Sequence, residues 1–520
     1  RCGLQPRRRP VPEVADGDAA PTQALWRVPA DRDPDRCPKQ FVDFQNDVSV
    51  ADIRLAVREG YRNVEHVKRY TALGFGTDQG KLGNINGMAV LAECLGKPLA
   101  EVGTTTFRPA YTPVTFGTIA GDAVGDLYDP VRKTAIHEWH EASGAPMEIV
   151  GQWHRPRYFP RDGESMHEAV ARECLAARSS LAVMDASTLG KIDARGPDVV
   201  AFLERLYTHD VAKMAPGRCA YGVLLGEDGM VMDDGVMARI DERQFYLTTT
   251  TGGAARVLGW LEFWLQTEWP DLEVYLTSLT DHYSAIAVVG PDSRKVLEKL
   301  GCSVALDAAS FPFMRVRSAR LGGLPVQLFR VSFSGELAFE VHIDSGFALG
   351  MWQRLVEAGQ EFGITPYGTE TMHVLRAEKG YIIVGQDTDG SMTPVDLGLS
   401  WLLSDGKDFI GKRSLSRPDC RRANRKQLVG LLSSDGKTVL AEGTQLVDDP
   451  DAATPVPMCG HVTSSYQSAC LGHPIALAVV AGGRSRVGET IYAMPRDGEP
   501  FAVTIAQPAF YDRQGRRQHV

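Results

Sequence analysis

The 520-residue sequence has no apolar run able to cross a membrane as a helix: its longest, residues 475–481, falls far short of the ~20 residues required. No charged segment near Arg1 leads into an apolar one, so no secretory leader is read there and a soluble protein is expected. C-x-x-C is also missing. The nine cysteines are scattered and odd in number, which argues against a disulfide framework or a zinc ribbon and makes a reducing cytoplasm the simplest setting. Basic excess is absent too: Lys+Arg 56 against Asp+Glu 65 gives −9, which leaves no general surface for neutralising nucleic-acid phosphates.

Several chemical signatures fail in the same way. GFGTDQGKL has Phe75 where a phosphate-binding loop needs its first glycine, and Leu82 in place of Ser or Thr. No G-x-G-x-x-G follows a strand, HEWHE at 137–141 lacks the H-E-x-x-H spacing, and no G-x-S-x-G elbow occurs. No metal site is expected. What remains is a globular chain, 43% hydrophobic, long enough for about three or four domains.

Residues 1–39 are rich in proline and read as an extended linker. Residues 40–120 read as a small helical module followed by an extended stretch, TTTFRPAYTPVTFG; Ser49 with Asp52 caps its first helix, and Gly74 and Gly96 stop the next two. From 121 to 420 strands alternate with helices. Ser165 and Glu168 form a capping box, and one pattern occurs twice: Gly196-Pro197-Asp198 and Gly290-Pro291-Asp292 each end a strand and open a helix, with proline expected in its first turn. This predicts a pseudo-duplicated α+β domain with a cleft between its halves. Residues 421–520, short strands between Gly, Pro and Asp turns, read as a β-barrel or sandwich.

The segment GEDGMVMDDGVMARI carries the most chemistry. Strand alternation puts Asp234 on one face with Met230, Met232, Val236, Ala238 and Ile240, and a carboxylate on an apolar face is driven toward an elevated pKa useful for proton transfer. The alternative is a turn acid, or a bulge at Gly235 that swings the side chain outward. On the next strand Tyr246, Thr248 and Thr250 share a face able to hold a flat heteroaromatic ring, although threonine is also simply a good strand former. In RVSFSGELAFEVHI, periodicity sets Glu340 with Glu336, Ala338 and His342 opposite four large apolar residues and so predicts a solvated side chain.

Long stretches of the chain, among them KQFVDFQNDVSVADIRLAVREGYRNVEHVKRYTALGFGTDQGKLGNINGMAV, DDGVMARI, TTTTGGAARVLGWLEFWLQTEWPDLEV and GHVTSSYQSACLGHPIALAVVAGG, resemble the alpha subunits of heterotetrameric sarcosine oxidases from about residue 38 onward. From about 121 the chain also resembles the aminomethyltransferase, or T-protein, of the glycine-cleavage system, which implies a tetrahydrofolate site. By this resemblance Asp234 is the carboxylate facing the reactive folate nitrogens. Tyr221, Tyr246, Thr248 and Thr250 line the pterin, Thr250 standing where the T-protein has asparagine, and Trp401 forms an aromatic wall. Glu340 grips the pterin edge, against its periodicity. Met372 replaces a folate-contacting arginine.

The resemblance further implies a flavin-bearing beta subunit, small gamma and delta subunits, FMN at the interface with the beta subunit and FAD within it. Lys68, Arg69, Thr77, Gln79 and Lys81 would face that FMN or subunit, although a charged cluster taken alone is more often a solvated face. NAD would belong only to an upstream dinucleotide-binding domain, of which residues 1–39 look like the trailing end. The implied reaction is capture of the methylene-iminium from sarcosine oxidation, giving glycine and 5,10-methylenetetrahydrofolate, with hydrogen peroxide from the flavin subunit. Oxidation of a related N-methyl amine such as dimethylglycine, or a non-catalytic folate-binding assembly role, are the alternatives.

Overall fold

The computed structural model describes residues 23–108, 111–112, 114–127 and 129–520. The chain divides into two compact units, residues 1–128 and 129–520. Most of the proline-rich stretch, residues 1–22, lies outside the described residues; from 23 to 39 the only regular turn is Pro34–Arg36.

In the first unit a two-stranded ribbon, Phe41–Asp43 with Val48–Ser49, leads into three helices: Val50–Arg58, Val64–Thr71 and Asn84–Leu95. The Ser49 hydroxyl accepts from the Asp52 amide while the Asp52 carboxylate accepts from the Ser49 amide, so two otherwise orphaned helix donors are satisfied. Ile53, Ala56, Val67 and Leu91 are buried between the helices. The second helix ends with Ala72 left-handed, two residues before Gly74; the third ends on left-handed Gly96 as expected. TTTFRPAYTPVTFG is not extended throughout, because Thr115 caps a short helix, Phe116–Ala120.

The second unit carries two mixed α/β layers built on one plan. A strand (Gly190–Arg195, or Tyr283–Val289) enters a helix (Val199–Leu206, or Ser293–Lys299) and then a three-stranded meander. The last meander strand returns antiparallel beside the first. In the first half the meander is Cys219–Leu225, Val231–Asp241, Gln244–Thr249; in the second it is Arg315–Leu321, Leu324–Arg330, Ala338–Asp344. The duplication expected from the two Gly-Pro-Asp motifs is therefore present. Gly196 (φ 139°) and Gly290 (φ 117°) adopt a backbone that side-chain-bearing residues rarely reach, and a Cβ on Gly196 would lie 2.0 Å from the Glu273 carbonyl oxygen. Proline falls outside the first turn: Asp198 and Asp292 are the N-caps, and each helix starts two positions after its proline.

Each half buries its own apolar face. Phe202, Leu203, Phe245 and Leu261 centre the first core, and Phe311, Phe339, Ile343 and Trp352 the second. Residues Lys426–Ser433 through Phe501–Ala506 close into a six-stranded antiparallel barrel, which leaves no open sheet edge. The helix Thr369–Glu378 is tied to it: the Glu378 carboxylate accepts from Arg178 at 2.7 Å and from the barrel hydroxyl of Ser468 at 2.6 Å. No helix among the described residues is long and apolar enough to cross a membrane, and the eight described cysteines are free.

Candidate functional site

A cavity of about 1480 Å³ opens within the second unit, larger than the roughly 300–1,000 Å³ of most small-molecule pockets. Strand Val231–Asp241 supplies Asp234, Gly235 and Val236; the strand before it supplies Tyr221, and the one after it Thr248. The second half contributes Glu340, and helix Thr369–Glu378 contributes Met372 and His373.

Asp234 reaches this cavity on the face that alternation assigns, with Val236, Ala238 and Ile240 turned the same way into the inter-sheet core. Gly235 does not bulge. It stays in register opposite Gly222, and the irregularity lies between the Leu224 and Leu225 pairings, nearer the start of the strand. Glycine is needed at 235 because a Cβ would sit 1.9 Å from the Thr248 carbonyl oxygen of the adjacent strand.

Burial pushes the Asp234 carboxyl up to about 7, the Tyr221 hydroxyl that donates to it at 2.5 Å partly offsets this, and neighbouring Asp233 adds to the rise. A group poised there exchanges a proton readily at neutral pH. Asp233 itself points to the opposite side, where a Cβ on Gly253 would meet its Oδ2 at 2.0 Å at the start of helix Ala254–Thr267. Its carboxyl is also raised, first by burial, with the Asp234 amide and Thr250 acting against the rise.

The predicted ring-binding residues separate. Tyr221, Thr248, Thr250, Glu340 and Trp401 line the cavity, Trp401 at 69% exposure. The Thr248 hydroxyl is also engaged by the backbone of Val236, accepting at 2.9 Å and donating at 3.2 Å. Tyr246 is not on the cavity wall: it is 3% exposed, packs against Phe329 and makes a 2.9 Å hydrogen bond with His342 Nδ1. It lies two residues back from Thr248, where the second sheet already covers the face.

Glu340 does not face bulk solvent but turns into the cavity between the sheets, and this corrects the periodicity reading. Strand Ala338–Asp344 is interior to its sheet and covered on both faces: Phe339, Val341 and Ile343 pack in the helical core, while Glu340 and His342 face the first sheet and the cavity. Charged residues on such a strand cannot be placed by alternation alone.

Asp185, Lys191 and His209 were missed by the sequence reading. Asp185 lines the same cavity, fully buried; Lys191 lies behind the wall, and its ammonium donates to the carbonyls of Ser187, Leu189 and Thr280. Burial brings Lys191 down to about 8 and His209, whose ring nitrogens find no partner among the described residues, to about 4. A charged Lys191 inside an otherwise strand-like run, KIDAR, was the one available signal.

The predicted flavin-facing residues all lie in the first unit. Lys68 is 4% exposed and donates to the Thr106 carbonyl; Lys81 donates to the Tyr111 carbonyl at 2.9 Å. Arg69 pairs with Glu65 at 2.8 Å, the Thr77 hydroxyl accepts from Gln45, and Gln79 accepts from the Arg108 amide. Each of these groups makes a hydrogen bond or an ion pair within the module. No cluster of metal-binding type occurs among the described residues.

Comparison with known proteins adds to this geometry. Residues 136–407 match the GCVT N-terminal domain, 426–512 the glycine cleavage T-protein C-terminal barrel domain, and 37–123 the sarcosine oxidase A3 domain. The sarcosine oxidase subunit alpha of Corynebacterium sp. (strain U-96) is 49% identical over 514 residues, covering 98% of this chain and 53% of that one. That of Rhizobium meliloti (strain 1021) is 43% identical over 513 residues, covering 98% and 51%. This chain thus spans about half the length of the curated relatives it matches. The crystal structure of the glycine cleavage system aminomethyltransferase T from Bartonella henselae shares the fold, with a TM-score of 0.64 at 23% identity over 74% of this chain and 99% of that one. The chain belongs to the GCVT, or glycine cleavage T-protein, family, and nearly its whole length is similar to sarcosine oxidase alpha subunits.

Proposed function

We propose that this chain is the tetrahydrofolate-dependent part of a sarcosine oxidase complex, receiving the methylene-iminium of oxidised sarcosine and yielding glycine and 5,10-methylenetetrahydrofolate. One observation carries the reading: Asp234, a carboxyl balanced near neutrality, and Glu340 open into a single large cavity. Tetrahydrofolate supplies nucleophilic nitrogens that accept a one-carbon unit. Glu340 fits a reduced pterin because its Oε2 accepts from His342 and no protein donor among the described residues takes Oε1, which leaves an acceptor edge for a pair of N–H donors. Tyr221 and Trp401 give the ring aromatic neighbours.

Ionised Asp234 stabilises the electrophilic cation during transfer. It then takes the proton released by the attacking nitrogen and returns one to the departing glycine nitrogen, a cycle that suits a group titrating at about 7. Enclosure by Met372, Leu397 and Leu399 limits hydrolysis of the iminium to formaldehyde. The flavin chemistry, FMN and FAD with peroxide release, is assigned to a partner beta subunit, with gamma and delta subunits completing the assembly. NAD is assigned to a domain outside these residues. Arg69, Thr77, Gln79 and Lys81 are proposed to face the flavin subunit, with Lys68 as an internal strut. A cytoplasmic setting accords with the free thiols.

Two measurements test this. Calorimetry with folinic acid is expected to show binding that Asp234→Ala and Glu340→Ala each weaken by about tenfold or more, the scale of a charged hydrogen bond; no binding to the unmodified chain supports a non-catalytic assembly role instead. In the assembled complex, Asp234→Ala should leave amine oxidation near normal while formaldehyde escapes. An unchanged yield of methylenetetrahydrofolate would contradict the assignment. Rates with sarcosine against dimethylglycine decide the amine.

A further inference from the structure

Behind the cavity wall, Tyr246, His342 and Glu340 form a continuous hydrogen-bonded row across the two sheets. The Tyr246 hydroxyl lies 2.9 Å from His342 Nδ1, and His342 Nε2 lies 3.2 Å from Glu340 Oε2. His342 is fully buried, clamped by the Phe329 ring at 4.4 Å and the Tyr246 ring at 5.4 Å, so it is not free to rotate.

Taking Glu340 as the pterin-gripping carboxylate, and so resting on the function proposed above, we infer that His342 is a positioning residue. Locked by Tyr246 as the Nε2–H tautomer, it orients Glu340 toward its ligand. The chemistry allows one arrangement. A carboxylate only accepts, so Nε2 must carry the hydrogen; burial holds the imidazole below its usual value, so the ring is neutral and Nδ1 must accept. Burial also raises the Tyr246 phenol well above its ordinary range, so Tyr246 keeps the proton it donates. One lone pair of Oε2 is thereby fixed from behind, and the remaining oxygen edge points where a ligand with two parallel N–H donors would sit. The other ionisable groups around the row are Lys191, Asp193, Cys219, Tyr283 and Tyr367. Lys191 already donates to three carbonyls. It does not compete for Glu340.

This explains why a tyrosine expected against the ring is absent from the cavity wall: it acts through two intervening groups. It also separates His342 from a histidine that merely fills the core, since a filler has no required tautomer.

The test uses the full chain. Nitrogen-15 NMR of labelled histidine in the ligand-free protein at about pH 7 should show His342 neutral with the hydrogen on Nε2; an Nδ1–H tautomer or an imidazolium overturns the inference. In folinic acid calorimetry His342→Leu should weaken binding about tenfold, while His342→Gln, whose amide reaches the same place as Nε2–H, should recover to within about threefold of the unmodified protein. Equal loss in both variants, or none in His342→Leu, overturns it. If His342→Leu does not fold, Tyr246→Phe decides: it keeps the ring packing and leaves Nε2–H donating to Glu340, but removes the bond that fixes the far side of the ring, and must weaken folinic acid about threefold; unchanged affinity overturns the inference. If the unmodified protein binds no folinic acid, the proposed function falls, and the tautomer measurement still decides whether the row is built as described.

Discussion

Two aspartates line the same cavity and are both screened from bulk water, yet their acidities move in opposite directions. Asp234 is raised to about 7, and Asp185 is held below its ordinary value. Burial raises both. What differs is the number of donors: Asp234 receives one side-chain hydrogen bond, from Tyr221, and has Asp233 beside it. Asp185 receives three, from the Thr134 hydroxyl at 2.6 Å, His140 Nε2 at 3.0 Å and the Ser187 amide at 3.0 Å. A buried carboxylate surrounded by donors is a structural anchor; one left short of them is chemically responsive.

The comparison breaks most readily at Asp185. Asp185→Asn replaces an acceptor with a group that cannot satisfy all three donors, and should cost about 3 kcal/mol or more in urea unfolding near neutrality. A cost below that of Asp234→Asn would show that donor number is not what separates the two sites. Next in size, Tyr221→Phe removes the side-chain bond that lowers Asp234, so its pKa should climb above about 7. The pH profile of folate-dependent product formation in the complex should move to the alkaline side, and an unmoved profile would remove Asp234 from the titrating step.

A smaller effect is a pH-dependent stability. The folded-state value of Asp234, about 7, lies above its ordinary value of 3.8, so ionising it opposes folding: it takes stability away as pH rises from about 4 to about 7 and by a constant amount above. Asp234→Asn should therefore melt about a degree or two higher than the unmodified chain at about pH 8, with the gap closing toward about pH 4. Asp185 has the opposite sign: its contribution is present above 3.8 and is lost only as pH falls through its lower folded value. The smallest expected change is at Thr250→Asn, which puts back the residue that the T-protein resemblance implies; folinic acid affinity should shift by no more than about threefold, and a larger gain would show that Thr250 limits the site.

The two capping boxes at Ser49 and Ser165 were legible because each involves groups three residues apart. So was the duplication, because Gly196 and Gly290 are demanded by a backbone conformation that few other residues tolerate. Asp234 was legible from alternation because its strand has one apolar inter-sheet face. Glu340 was not, since its strand is covered on both sides and polar periodicity there says nothing about water. Tyr246 was placed on the correct face but too near the cavity, because alternation gives direction and not depth. Asp185 was invisible, and Lys191 carried only the weak signal of a charge in a strand-like run, because their partners are brought from distant segments, such as Thr280 and His140.

By itself the amino-acid order determined what depends on near neighbours: helix starts, obligatory glycines, which way a side chain leaves its strand, and the two-fold repetition of a strand-helix unit. Only the tertiary structure decided which carboxyl groups are charged, which are poised and which are supported from behind. Charge in a protein interior is set by how many donors converge on a group and how much water is excluded, and both arise only when two sheets distant in the chain are laid against each other.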